Sequence, residues 1–136
     1  MYSRAIFFVV LTALAAVADS VNAQRIYWTG GGGVWRAYLD GSSAELVIPT
    51  SGLALALDLS DRRIYFCSAT ARIQRAYLDG SGIEDVVTSN VHAVVDIELD
   101  LLHRKVYWID GWNIQGFPVF GVFRANLDDG ADEHVP

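Results

Sequence analysis

From Arg25 onward, short runs rich in Val, Ile, Tyr and Trp alternate with clusters of Gly, Asp and Ser, and apolar residues do not recur at helical spacing. Such punctuation predicts an all-β chain. The expected strands are 25–29, 33–39 and 44–48, then 53–58, 63–68, 72–78 and 83–87, then 93–99, 105–110, 119–127 and 132–135. Within Arg36-Ala37-Tyr38-Leu39, Ala37 and Leu39 share one face while Arg36 and Tyr38 share the other. Both faces carry bulk, and Ile26-Tyr27-Trp28 is apolar on both sides, a pattern suited to strands covered on both faces.

The pattern repeats. Tyr27-Trp28-Thr29 precedes Arg36-Ala37-Tyr38-Leu39-Asp40-Gly41, and Tyr65-Phe66-Cys67 precedes Arg75-Ala76-Tyr77-Leu78-Asp79-Gly80. Tyr107-Trp108-Ile109-Asp110 precedes Arg124-Ala125-Asn126-Leu127-Asp128-Asp129-Gly130. The three tyrosines are 38 and then 42 residues apart. A period near 40 marks a repeat architecture whose units bury their faces against one another, and four-stranded units of this length stack radially into a β-propeller. The Asp-Gly pairs read as hairpin turns. Gly30 to Gly33 and Ser68 to Ala71 read as turns between second and third strands, expanded in the third repeat to Gly111 to Pro118. The reading is therefore an all-β partial β-propeller of about three four-stranded antiparallel blades.

Residues 1–23 read differently. Arg4 gives a positive start, Ala5 to Ala18 is apolar and uncharged, and Val21-Asn22-Ala23 places small residues before a cut. Length and order are those of a secretory signal peptide, and the apolar run is short of the roughly 20 residues that span a bilayer. The expected division is a leader over 1–23 and a repeat domain over 24–136, with the first blade lacking its innermost strand. The chain is 52% hydrophobic with a formal net charge of -6, which excludes disorder and argues against nucleic acid and anionic lipid as partners. The single cysteine, Cys67, sits at the position of Thr29 and Ile109 in the other repeats and reads as a small buried side chain.

The Tyr-Trp-Thr-like stretches and the Arg-Ala-x-Leu-Asp-(Asp)-Gly stretches resemble the YWTD, or class B, repeats of the low-density-lipoprotein receptor family. Asp58 and Asp100, each seven residues before a repeat tyrosine, fit the end of the same repeat's first strand. The resemblance covers residues 25 to 130 and implies blades of a six-bladed propeller, so three repeats imply a piece of one. The motif aspartate is Gly30 and Ser68 in the first two repeats and is kept as Asp110, a structural position in the family.

For function, the resemblance implies a secreted or extracellular protein-binding module of lipoprotein-receptor or Wnt-coreceptor type, or the ectodomain of a membrane receptor. It also admits a basement-membrane adhesion module like nidogen. A secreted six-bladed hydrolase resembling gluconolactonase or strictosidine synthase is the enzymatic alternative. The residues favour a non-catalytic module with no cofactor. His92, His103 and His134 lack metal-ligand spacing, and no Gly-x-Ser-x-Gly elbow is present. Residues 126–133 read as a hairpin turn and not a calcium loop. The expected partner is an extracellular protein, with self-association through open blade edges as a second mode. The expected contact residues are Trp112, Asn113 and Phe117 in the expanded turn, with Asp110 beside them, because loop aromatics are favoured interface anchors. Arg36, Arg75 and Arg124, which repeat with Asp40, Asp79 and Asp128 or Asp129, read as structural, with their stems packed along the blades and their heads paired to nearby carboxylates.

Overall fold

A computed structural model of the chain describes residues 10–13, 24–52, 54–114 and 116–135. They form three four-stranded antiparallel sheets, each a blade. The first comprises β1 (Val10–Ala13), β2 (Arg25–Gly30), β3 (Gly33–Tyr38) and β4 (Glu45–Pro49). The second comprises β5 (Leu55–Asp58), β6 (Arg63–Cys67), β7 (Ile73–Tyr77) and β8 (Glu84–Val87). The third comprises β9 (Ala93–Asp100), β10 (Lys105–Ile114), β11 (Phe117–Asn126) and β12 (Asp132–Val135). Strands are hydrogen-bonded in sequence order within each blade, and the innermost strand β5 lies beside both β1 and β9. No helix among the described residues is long and apolar enough to cross a membrane.

Eleven of these strands are the expected ones, and two expectations are corrected. The first blade was expected to lack an inner strand. Val10–Ala13 instead pairs antiparallel with β2, with Val10 opposite Thr29 and Ala13 opposite Tyr27. The edge of β2 offers a row of backbone donors and acceptors, and an uncharged apolar segment satisfies them. The remaining leader positions, 1–9 and 14–23, lie outside the described residues.

The second correction concerns Gly111 to Pro118, expected as an expanded turn. β10 and β11 continue through it in unbroken register, from Lys105 opposite Asn126 to Ile114 opposite Phe117. Gly116, at φ +90°, makes the tight reversal that a residue with a Cβ resists. The first blade turns between Gly30 and Gly33, where Gly31 and Gly32 have φ of +54° and +89°. Positive φ at both central residues is the hairpin geometry that matches strand twist.

The second blade is buried on both faces, as its two-sided apolar strands require, and each outer blade is buried on the face turned toward it. We call the face turned toward the following blade leading, and the opposite face trailing. Tyr27, Val34 and Ile48 on the leading face of the first blade pack against Leu55, Ile64, Phe66, Ala76 and Leu78 on the trailing face of the second. Ala56, Tyr65, Cys67, Ile73 and Val87 on the leading face of the second pack against Ile97, Val106, Trp108, Ala125 and Leu127 of the third. Alternation in one strand thus feeds two separate cores.

Cys67 lies in the second of these cores, as its repeat position indicated. Burial, and then the nearby Asp110 charge, push its thiol pKa up. The thiolate is the reactive form, so the native thiol is expected to resist modification. A disulfide reagent should label Cys67 at least 100-fold more slowly in buffer than in denaturant. Comparable rates in the two would show that this blade junction opens freely.

Candidate binding surface

The repeated arginines join blades. Arg36 Nη1 donates to the Leu78 carbonyl at 3.0 Å, beside Tyr27 Oη, which donates to the same oxygen at 3.2 Å. One blade later, Arg75 Nη1 donates to the Leu127 carbonyl at 3.4 Å. In both blades tyrosine and arginine are direct cross-strand partners, Tyr27 with Arg36 and Tyr65 with Arg75.

The carboxylates that hold these heads are glutamates of the fourth strands and not the aspartates of the Asp-Gly turns. Arg36 Nε donates to Glu45 and Arg75 Nε to Glu84, each at 2.7 Å. Asp40, Asp79 and Asp129 instead accept from backbone N–H groups two residues on, at Ser42, Ser81 and Ala131. An aspartate so placed closes its own turn. Asp128 takes a hydrogen bond from Arg104 at 2.6 Å. Hydrogen bonding to Arg36 and Arg75 holds Glu45 and Glu84 below the ordinary glutamate value. Burial opposes the Arg36 charge, but hydrogen bonds to Glu45 and Tyr27 outweigh it and leave its pKa raised. Glu lies nine residues after Arg in all three repeats, Glu133 following Arg124, and that spacing is the signal that identifies the partner.

Asp58 and Asp100 cap turns as well. Asp58 is buried, and its Oδ1 accepts from Ser60 N, Ser60 Oγ and Asp61 N at 3.0, 2.6 and 3.1 Å. Asp100 accepts from His103 N at 3.0 Å and lies 2.7 Å from His103 Nδ1. That backbone bond, and then the His103 ring, lower the Asp100 pKa. A cleft of about 520 Å³ opens between the first two blades on the Asp-Gly side. Its walls include Arg25, Arg36, Arg62, Asp61, Asp79 and Tyr77. Arg25 lies over the Tyr38 ring at 4.5 Å and Arg36 is held by Glu45, so two of its cations are already engaged. Among the described residues, no group of three or more His, Cys, Asp and Glu is gathered to hold a metal ion.

The opposite rim carries the long hairpin of β10 and β11. Backbone register sets Trp112 opposite Val119 and Asn113 opposite Pro118, with Phe117 opposite Ile114 at the turn. The side chains of Trp112, Asn113 and Phe117 lie outside the described residues. Asp110 points inward and is fully buried. Its carboxylate accepts from His92 N at 2.7 Å and Ala93 N at 2.6 Å, which ties the hairpin to the segment entering the third blade. Asp110 therefore presents no surface to a partner in this arrangement, although the other three residues stand on the rim it supports. Phe120, opposite Gly111 and strongly exposed, was not singled out from sequence. The signal was an aromatic facing a glycine across two strands, visible only once the turn is read as ladder.

No protein-family model and no curated protein matches the chain. Among solved structures, one chain of a nidogen/laminin complex, a YWTD β-propeller, superposes with a TM-score of 0.68 at 24% identity. The match covers 85% of this chain and 44% of that one. An oligogalacturonate lyase in complex with manganese superposes with a TM-score of 0.62 at 13% identity, covering 81% of this chain and 36% of that one. The chain thus spans less than half the length of either neighbour. At these identities the likeness establishes the fold, a partial β-propeller.

Proposed function

We propose that the chain is a secreted, non-catalytic protein-binding module of the YWTD type, using the rim hairpin of the third blade. One observation carries this reading. β10 and β11 run ten residues each, against five or six for the matching strands of the other blades. The extra length projects a ladder bearing Trp112, Asn113 and Phe117 past the other blades, with Asp110 and the His92–Ala93 amides fixing its base. Propeller rims serve as platforms because loops vary on a rigid scaffold. The nidogen/laminin neighbour makes an adhesion role in the matrix the first form of this reading to test. In the secreted form, cleavage after Ala23 takes β1 away and leaves the β2 edge open.

Laminin is the first probe, followed by a panel of purified extracellular proteins on a biosensor. The chain is expected to bind at least one saturably. Trp112→Ala with Phe117→Ala should weaken that binding at least tenfold while the far-ultraviolet spectrum is unchanged. Binding to none of them, or equal binding by the double variant, overturns the reading. The lyase neighbour favours an enzymatic alternative. Turnover of sugar lactones or of oligogalacturonate with manganese, lost in Asp58→Asn or Asp100→Asn, would establish it in place of the first.

A further inference from the structure

The two internal junctions are built alike, and the halves of a third such junction are exposed at opposite ends of the chain. On the leading side of a blade, Tyr27, Val34 and Ile48 are covered, as are Tyr65, Ile73 and Val87 one blade later. Their counterparts on the third blade are Tyr107, Val122 and Val135, which are all only partly buried or exposed. Val122 is 42% exposed where Val34 and Ile73 are 0%. Ile109 and Phe120 on the same face are also exposed. Tyr107 and Arg124 are direct cross-strand partners, like Tyr27 and Arg36, which both reach Leu78 at the first junction, and like Tyr65 and Arg75, of which Arg75 reaches Leu127 at the second.

The trailing side of the first blade is the matching half. The carbonyls that receive the clamps belong to Leu78 and Leu127, whose side chains are 6% and 2% exposed. The equivalent residue of the first repeat is Leu39, 53% exposed. Ile26 and Trp28 are only half-buried there, where Ile64, Val106, Phe66 and Trp108 are fully covered.

We propose that a second copy of this chain fills both faces. The leading face of each third blade seats on the trailing face of its partner's first blade, with Tyr107 and Arg124 reaching the Leu39 carbonyl. The association is head to tail, and two such junctions related by a twofold axis close a ring. Three blades take up 44% of the propeller chain they superpose on, so two copies supply one circuit. Apolar faces of this kind are stable in water only when covered. The mode uses blade faces, not the strand edges that sequence alone suggested, and it is independent of the rim function proposed above.

The test is analytical ultracentrifugation of the purified chain with two variants. Val122→Glu spoils the leading face and Leu39→Glu the trailing face. Both side chains are already exposed in the single chain, so each variant should keep its far-ultraviolet spectrum. The parent chain is expected to sediment at twice the chain mass, and each variant at one chain mass. An equimolar mixture of the variants should return to the dimer mass, because one junction then joins two unaltered faces. A parent that sediments as a monomer or as an open series of larger species overturns the proposal. So do a variant that remains dimeric, the result that like-face association gives for one of the two, or a mixture that stays monomeric.

Discussion

Replacing Trp108 with alanine is expected to cost about 3–5 kcal/mol of folding stability, the range for removing a fully buried large aromatic. Trp108 is 1% exposed, belongs to the core between the second and third blades, and stacks on Phe123 with centroids 5.7 Å apart. Nothing in a closely packed junction can move into the vacated volume without breaking strand register. A loss of that size is a large share of the stability of a small domain. Trp108→Phe is the informative contrast. The same position in the second blade is Phe66, 1% exposed, so a phenyl ring already suits this junction geometry. The indole Nε1 of Trp108 has no hydrogen-bond partner among the described residues, so losing it sacrifices no bond. The phenylalanine variant should therefore lose only about 1–2 kcal/mol. Urea titrations followed by far-ultraviolet circular dichroism give both values. An alanine variant within 1 kcal/mol of the parent would mean that the third blade does not share a cooperative unit with the second.

The residues that repeat were the residues that could be read. Tyr27, Tyr65 and Tyr107, and the three Arg-Ala stretches, set strand order, Asp-Gly turns and blade count, and the structure follows them. What was misread is what does not repeat. β1 comes from an uncharged apolar stretch whose composition is that of a leader, and pairing with an open edge depends on the partner strand, not on the segment's own sequence. Gly111, Gly116 and Pro118 look like breakers, yet only Gly116 turns the chain, while Gly111 and Pro118 hold ladder positions. Sequence called for nearby carboxylates to hold the arginines without naming which, because the partner is set by strand register and not by proximity along the chain. The fourth strand returns beside the third and puts Glu45 and Glu84 directly opposite Arg36 and Arg75. For the candidate surface, sequence singled out Trp112, Asn113 and Phe117 but read their segment as an expanded turn, whereas Phe120 and the two uncovered blade faces emerge only from three-dimensional packing.

Asp110→Ala is expected to cost about 2–6 kcal/mol, from two backbone donors each losing its acceptor at about 1–3 kcal/mol. The Asp110 carboxylate is fully buried and receives the N–H groups of His92 and Ala93, with His92 Nδ1 3.3 Å from Oδ2. The other blades dispense with this tie because they solve the problem differently. At Gly30, the indole of Trp35 donates to the backbone carbonyl at 2.8 Å, and Thr50 N donates to Gly32 O at 3.1 Å. At the second blade, Thr50 Oγ1 donates to the Cys67 carbonyl at 3.3 Å. The third blade carries the longest hairpin and uses a charged acceptor, whose hydrogen bonds are stronger than neutral ones. Stability alone does not distinguish this role from general packing, so the decisive readout is local. Amide exchange at His92 and Ala93 should accelerate in Asp110→Ala by more than the global loss of stability accounts for, while amides of β5 to β8 track the global change. Asp110→Asn keeps one carbonyl acceptor and should protect one of the two amides. If both remain as slow as in the parent chain, the segment entering the third blade is held by packing, and the carboxylate is not what anchors the hairpin.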